Sequence, residues 1–131
     1  MQLVPFHSLA PLLLLAGAAV AEPQLAEYRG HYSWGFEVSR FVACDAPASD
    51  RPWWVTLSDR ALAQRDSAVA ALTGPAPAKV FVRWRGVAGG RLPSAGHMGR
   101  STRYFAAAEI LELRLPREDD CGVVVRTAAT R

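Results

Sequence analysis

The chain has 131 residues, 50% of them hydrophobic and 21% charged, with a formal net charge of +3 and a sequence pI near 9.3. That apolar share excludes a disordered or low-complexity chain, and the length suits one domain rather than two. The positive excess is modest, and with two cysteines the chain is not a disulfide-dense miniature scaffold.

The segment from Met1 to Leu9 carries no acidic residue, Leu9 to Val20 is a nearly unbroken apolar run, and Ala19-Val20-Ala21 precedes Glu22. This is the order of a secretory signal peptide. An apolar run of about a dozen residues falls short of the about 20 that a membrane-crossing helix needs. The sequence therefore predicts a signal at residues 1–21 and a single mature domain over 22–131, periplasmic or secreted, with no transmembrane segment after cleavage. No cysteine follows the apolar run, so the signal is not of the lipid-attached kind.

From Tyr28 the chain alternates, with Tyr28, Gly30, Tyr32, Trp34, Phe36 and Val38 on one side and Arg29, His31, Ser33, Gly35, Glu37 and Ser39 on the other. Period two predicts a strand, here a long one bent at Gly30 and Gly35, with a bulge near Arg40 where the phase slips. Asp45–Pro52 reads as a loop. Trp53–Leu57 reads as a second strand with its two tryptophans on opposite faces. Ser58 or Asp59 caps a helix through about Leu72, with Leu62, Val69 and Leu72 on one stripe, ended by Gly74 and Pro75. Ala78–Gly86 is a third strand, with Val80, Val82 and Trp84 inward and Phe81, Arg83 and Arg85 on the other face. Val87–Thr102 is a long aperiodic loop, of the kind that is functional or mobile. Tyr104–Leu115 reads as a fourth strand, although Ala106-Ala107-Ala108-Glu109 is also compatible with a helical turn. Glu118–Asp120 is a solvated acidic turn and Gly122–Thr127 a last strand. The expected fold is mainly β: a small five-stranded OB-like barrel with one helix, a sandwich being the alternative.

Between Ser67 and Ala108 there is no acidic residue, while Lys79, Arg83, Arg85, Arg91, Arg100 and Arg103 all lie there. Neutralisation by acids from the chain ends is the plain reading. The sharper reading is a basic face that meets an anionic glycan or lipid of the envelope, or an envelope protein, with Arg83, Arg85, Phe81, Arg91 and Arg100 as ligand-binding candidates. Nucleic acid is not an expected partner of an exported protein. Cys44 and Cys121, 77 positions apart, invite a disulfide in an oxidising compartment, two separately buried thiols being the alternative.

No enzyme motif is evident. Ser33, His31 and Glu37 share one strand face but are spaced about 7 Å per step, too far for a nucleophile and its base. Glu109 and Glu112 read as structural charges, no phosphate-cradling loop precedes the helix, and no cofactor is expected. His97 and Met98 are the only candidate pair for a soft metal such as Cu(I), yet adjacent residues on an extended segment point apart.

The words Gly35-Phe36-Glu37-Val38-Ser39-Arg40-Phe41-Val42-Ala43-Cys44, Trp53-Trp54-Val55 and Val80-Phe81-Val82-Arg83-Trp84-Arg85-Gly86 resemble the C-terminal OB-type domain of the NlpE envelope lipoproteins. The resemblance implies a non-enzymatic envelope-facing barrel that engages other envelope components, or alternatively a redox- or metal-responsive stress sensor with Cys44 as a disulfide partner. The lipidated cysteine and the Cys-x-x-Cys barrel of those proteins have no counterpart here, so copper handling and outer-membrane anchoring do not transfer.

Overall fold

The computed structural model describes residues 25–47 and 49–122, together with Gly17. The expected signal segment and the expected strand at Gly122–Thr127 lie outside the described residues, apart from Gly17 and Gly122. Five strands close a barrel in the order β1-β2-β3-β5-β4: β1 Ala26–Gly35, β2 Val38–Ala43, β3 Trp53–Leu57, β4 Val80–Ala88 and β5 Tyr104–Arg114. The helix α1, Asp59–Ala70, joins β3 to β4. All pairs are antiparallel except β3 with β5, which run parallel. This is the strand order of an OB-type barrel, in which β1 belongs to both halves of the sheet through β2 and β4.

The closed five-stranded barrel agrees with the sequence reading, but among the described residues the strands are divided differently. The long first strand is a hairpin: Gly35 pairs with Val38 across a two-residue turn, and Tyr32 faces Phe41. A two-residue turn pairs residues of opposite parity, so the apolar phase must slip where the chain reverses. The slip at Phe41 is therefore the signature of the turn at Phe36-Glu37 rather than of a bulge near Arg40. Glu37 adopts φ 55°, the left-handed region that non-glycine residues enter rarely. The bulges lie instead in the β4–β5 pair, between Arg83 and Trp84 and between Arg85 and Gly86. They reset the phase of β5, so that Phe105, Ala107 and then Ile110 point inward. The alanine run of β5 is strand throughout.

Tyr32, Phe41, Val80, Val82, Trp84 and Phe105 are completely buried and fill the barrel. Phe41 sits edge-on to Trp84 at 4.9 Å, and Trp84 lies 5.3 Å from Phe105, so aromatic contact supplies much of the cohesion. Ser58 caps α1 by accepting the Ala61 N–H at 3.0 Å while donating to the Ala108 carbonyl at 2.8 Å, which ties the helix start to β5. The helix buries a different face from the one its leucines predict. Ala61 is its fully buried residue, and Leu62 is 41% exposed. Gln64 accepts the Ile110 N–H at 2.7 Å, and the Arg65 guanidinium lies 4.9 Å over the Trp34 ring. Small and polar side chains thus let the helix lie close on β5.

The turn after β5 is held twice. Cys44, just after β2, is bonded to Cys121, with Cα atoms 5.0 Å apart. Asp120, read from sequence as solvated, is buried: it accepts from Arg114 Nη2, from the Arg117 N–H at 2.7 Å, and pairs with His31 Nε2 at 3.1 Å. The Arg114 hydrogen bond holds the Asp120 carboxyl far below the ordinary aspartate range; burial opposes it, and the Arg117 N–H and His31 add to it. A carboxylate whose folded-state pKa is depressed contributes stability in full above the unfolded value near 3.8, and loses it as pH falls from there toward the folded value. In a His31→Gln background, which removes the imidazole titration, the unfolding free energies of the parent and of Asp120→Asn should differ by a constant amount from neutrality down to about pH 4 and converge below it. Urea melts across that range check this; convergence beginning near pH 6 would contradict the assignment.

Candidate functional site

The outer face of β2 and β3 carries an open groove of about 330 Å³. Strand alternation places Val38 and Arg40 outward on β2 and Trp54 outward on β3, with Arg40 and Trp54 as direct cross-strand partners. Trp54 is the outward member of the adjacent tryptophans; Trp53 is buried in the core. One wall is formed by Glu37 of the β1–β2 turn and Ser39 of β2. The other is the loop between β4 and β5, contributing His97, Arg100 and Ser101.

That loop is organised. Arg51 donates to the carbonyls of Pro93 at 2.7 Å and Gly99 at 3.1 Å, and the Thr102 hydroxyl donates to the Arg51 carbonyl at 3.0 Å. Ala95 and Ser101 form an isolated antiparallel bridge, and the Gly96 N–H donates to the Tyr104 hydroxyl at 3.1 Å. Gly96, at φ 68°, lies so close to the Trp54 ring that an added Cβ would stand 2.5 Å from it. Only glycine fits there, and the contact fixes the loop against one side of the indole. His97 Nε2 stands 3.3 Å from a Glu37 carboxylate oxygen, joining the two walls.

Arg40, Arg51 and Arg100 line the groove against one lining acid, Glu37. Apolar groups stand exposed at its margins: Phe36 is 90% exposed at the tip of the turn, Met98 is 72% exposed at φ 54°, and Tyr104 is 47% exposed on β5, opposite Trp54. Two non-glycine residues held in left-handed backbone, Glu37 and Met98, therefore flank this margin. Aromatic faces interleaved with guanidiniums suit a chain that offers both apolar ring faces and negative charge.

The residues singled out from sequence do not come together. Arg100 lines the groove. Arg83 lies between Glu27 at 3.1 Å and Glu112 at 3.6 Å, and the Glu27 hydrogen bond raises its pKa against burial. Phe81, expected as a ligand-binding residue on the outer face, is instead 5% exposed, beneath the Arg114 guanidinium at 4.1 Å and beside His31 at 5.8 Å. Alternation placed it on the outer face correctly, but there Arg114 and His31 cover it. Arg85 is exposed on the same strand. Arg91 lies 3.8 Å from Asp50, away from the groove. Met98 points to solvent and His97 to Glu37, and among the described residues no three His, Cys, Asp or Glu side chains cluster as a metal site would require. Arg40 and Arg51 are charged lining residues that the sequence reading missed, and Glu37 was considered there only beside His31 and Ser33; the signal for Arg40 is its place between outward Val38 and Val42 once the hairpin is recognised.

Among the described residues no helix is long and apolar enough to cross a membrane. Comparison with known protein families, with curated proteins and with solved structures finds no significant match.

Proposed function

We propose that this barrel is a non-enzymatic binding module of the cell envelope whose β2–β3 groove holds a strand of acidic glycan. The observation that carries the reading is the half-buried Trp54, set between Arg40 and the arginine-bearing loop on the face where OB-type barrels take oligosaccharides and oligonucleotides. Carboxylate or phosphate groups on the strand pair with Arg40 and Arg100, and sugar faces stack on Trp54 and Phe36. Export is part of the proposal; the Cys44–Cys121 bridge, at home in an oxidising compartment, and the resemblance to the NlpE C-terminal domain support it.

The test is calorimetry with polygalacturonate against dextran of matched length. Binding to polygalacturonate alone, weakening steeply with salt, is expected. Trp54→Ala should weaken it by about 1–3 kcal/mol, the range measured for bases on aromatic platforms. Arg40→Ala with Arg100→Ala should weaken it about tenfold or more, whereas Arg83→Ala with Arg85→Ala should leave it unchanged. Equal affinity for dextran would overturn the reading. Binding only to anionic lipid vesicles, abolished by Phe36→Ser with Met98→Ser, would replace the glycan with a lipid surface.

A further inference from the structure

Among the described residues, β5 is paired with a strand on both edges only at its start. β3 accompanies it from Tyr104 to Ala107, whereas β4 runs beside it as far as Arg114. Helix α1 takes the place of β3 at Ala108 and Ile110, where Ser58 donates to the Ala108 carbonyl and Gln64 accepts the Ile110 N–H. Beyond Ile110 that edge has no strand partner and borders an open cleft of about 530 Å³, lined by Ala63, Ser67, Ala68 and Ala71 on the helix and by Leu111 and Leu113 on the strand.

An open strand edge is a template for another strand unless something blunts it, and charged side chains are a common means. Here the charges do the reverse. Residues 111–115 read Leu-Glu-Leu-Arg-Leu. Laid antiparallel on a second copy with Leu113 opposite Leu113, the segment matches itself: Glu112 opposes Arg114 in both directions, Leu111 opposes Leu115, and opposed Cβ atoms stand about 4.5–5.5 Å apart. The register is specified as well. A slip of two residues brings Glu112 opposite Glu112 or Arg114 opposite Arg114, and a slip of one sets the charges against leucines.

We infer that this edge is a self-association surface on which two copies of the chain join β5 to β5, antiparallel, about a two-fold axis at Leu113. Within each copy Arg114 Nε already donates to Glu112 at 3.0 Å, so in the pair the four side chains form a ring of alternating charge. Leu115, 46% exposed just past the strand, comes to lie beside the partner's Leu111 at the cleft. The contact is isologous, each copy offering the same segment, so it closes at two copies. Its shortness places it below a standard interface in area, which makes the dimer weak and reversible. The surface shares no residue with the β2–β3 groove, and the inference stands apart from the ligand proposed there.

Sedimentation equilibrium between about 10 µM and about 1 mM protein tests it, with a monomer–dimer equilibrium of dissociation constant on the order of 100 µM expected. Glu112→Lys, which sets like charges opposite each other on both sides of the axis, should weaken association about tenfold or more. Leu115→Asp, at an exposed position, should weaken it as well, while Leu92→Asp, a similarly exposed leucine in the β4–β5 loop, leaves it unchanged. Hydrogen exchange locates the contact: the free-edge amides of residues 111–115 should gain protection as concentration rises. A monomer at every concentration, a dimer indifferent to Glu112→Lys and Leu115→Asp, or full protection of those amides in dilute protein, as residues 123–131 of the same chain would give, overturns the assignment.

Discussion

Gly30→Ala should destabilise the barrel by about 3 kcal/mol or more, at the upper end of overpacking effects. A Cβ at Gly30 would stand 2.1 Å from the Val42 carbonyl oxygen and 2.9 Å from the Ala43 Cα, both of them backbone, and 2.8 Å from the Phe41 ring. Backbone cannot rotate aside as a long side chain can. Gly30 is also where β1 is paired on both edges, with Ala43 on one side and Val82 on the other, so relief would require breaking a ladder. Gly35→Ala is the matched control, because an added Cβ there meets nothing within 4 Å. Chemical denaturation of the two variants should separate them clearly; equal stabilities would show that β1 does not pack as described.

Loss of the Cys44–Cys121 bridge is the second large effect. The bonded cysteines are 77 positions apart, and closing a loop of that length is worth up to about 4.5 kcal/mol in the chain-entropy model, with measured values commonly 2–4. The double variant Cys44→Ala, Cys121→Ala should lose stability in that range. The barrel should nonetheless remain folded, since its aromatic core does not involve the bridge and Asp120 still ties the turn after β5 to Arg114 and His31. Adding Asp120→Asn should cost more in the bridge-free protein than in the parent, because the two ties hold the same turn and neighbouring sites couple. Thermal melts of the four proteins measure the coupling; strict additivity would mean that the ties act independently.

The parts of the fold legible in the sequence are those written in local pattern. Alternation marks β3 and β4, Ser58 and the residues after it mark the helix start, and two thiols in an otherwise cysteine-free chain mark the bridge. The hairpin was hidden because Phe36, an apolar residue, occupies the turn and continues the stripe of β1 into it. Its 90% exposure shows that the hydrophobic pattern there does not report burial. The helix face was misread for a related reason: packing against β5 favours the small Ala61, which carries little weight in an apolar stripe, over Leu62. Phe81 was placed on the right face, yet whether an outward face meets water depends on Arg114 and the turn that holds it, 33 residues further along.

The groove is the least legible feature. It joins the turn at Glu37, the outward positions Arg40 and Trp54, and the loop at His97–Ser101, segments brought together only when the barrel closes. The aperiodic stretch marks the loop and the adjacent tryptophans mark Trp54 as the possible outward ring. Neither signal could show that Arg83 would be engaged by Glu27 and Glu112 while Arg40 and Arg100 would share a groove with an aromatic ring.

The most direct measurement is a map of amide and indole shifts in the ¹⁵N-labelled protein during titration with polygalacturonate fragments. Changes concentrated at Glu37–Arg40, Trp54 and His97–Ser101, fading as salt rises, are the expected result. Changes centred on Arg83 and Arg85, or none in the groove at saturating ligand, would contradict the proposed function.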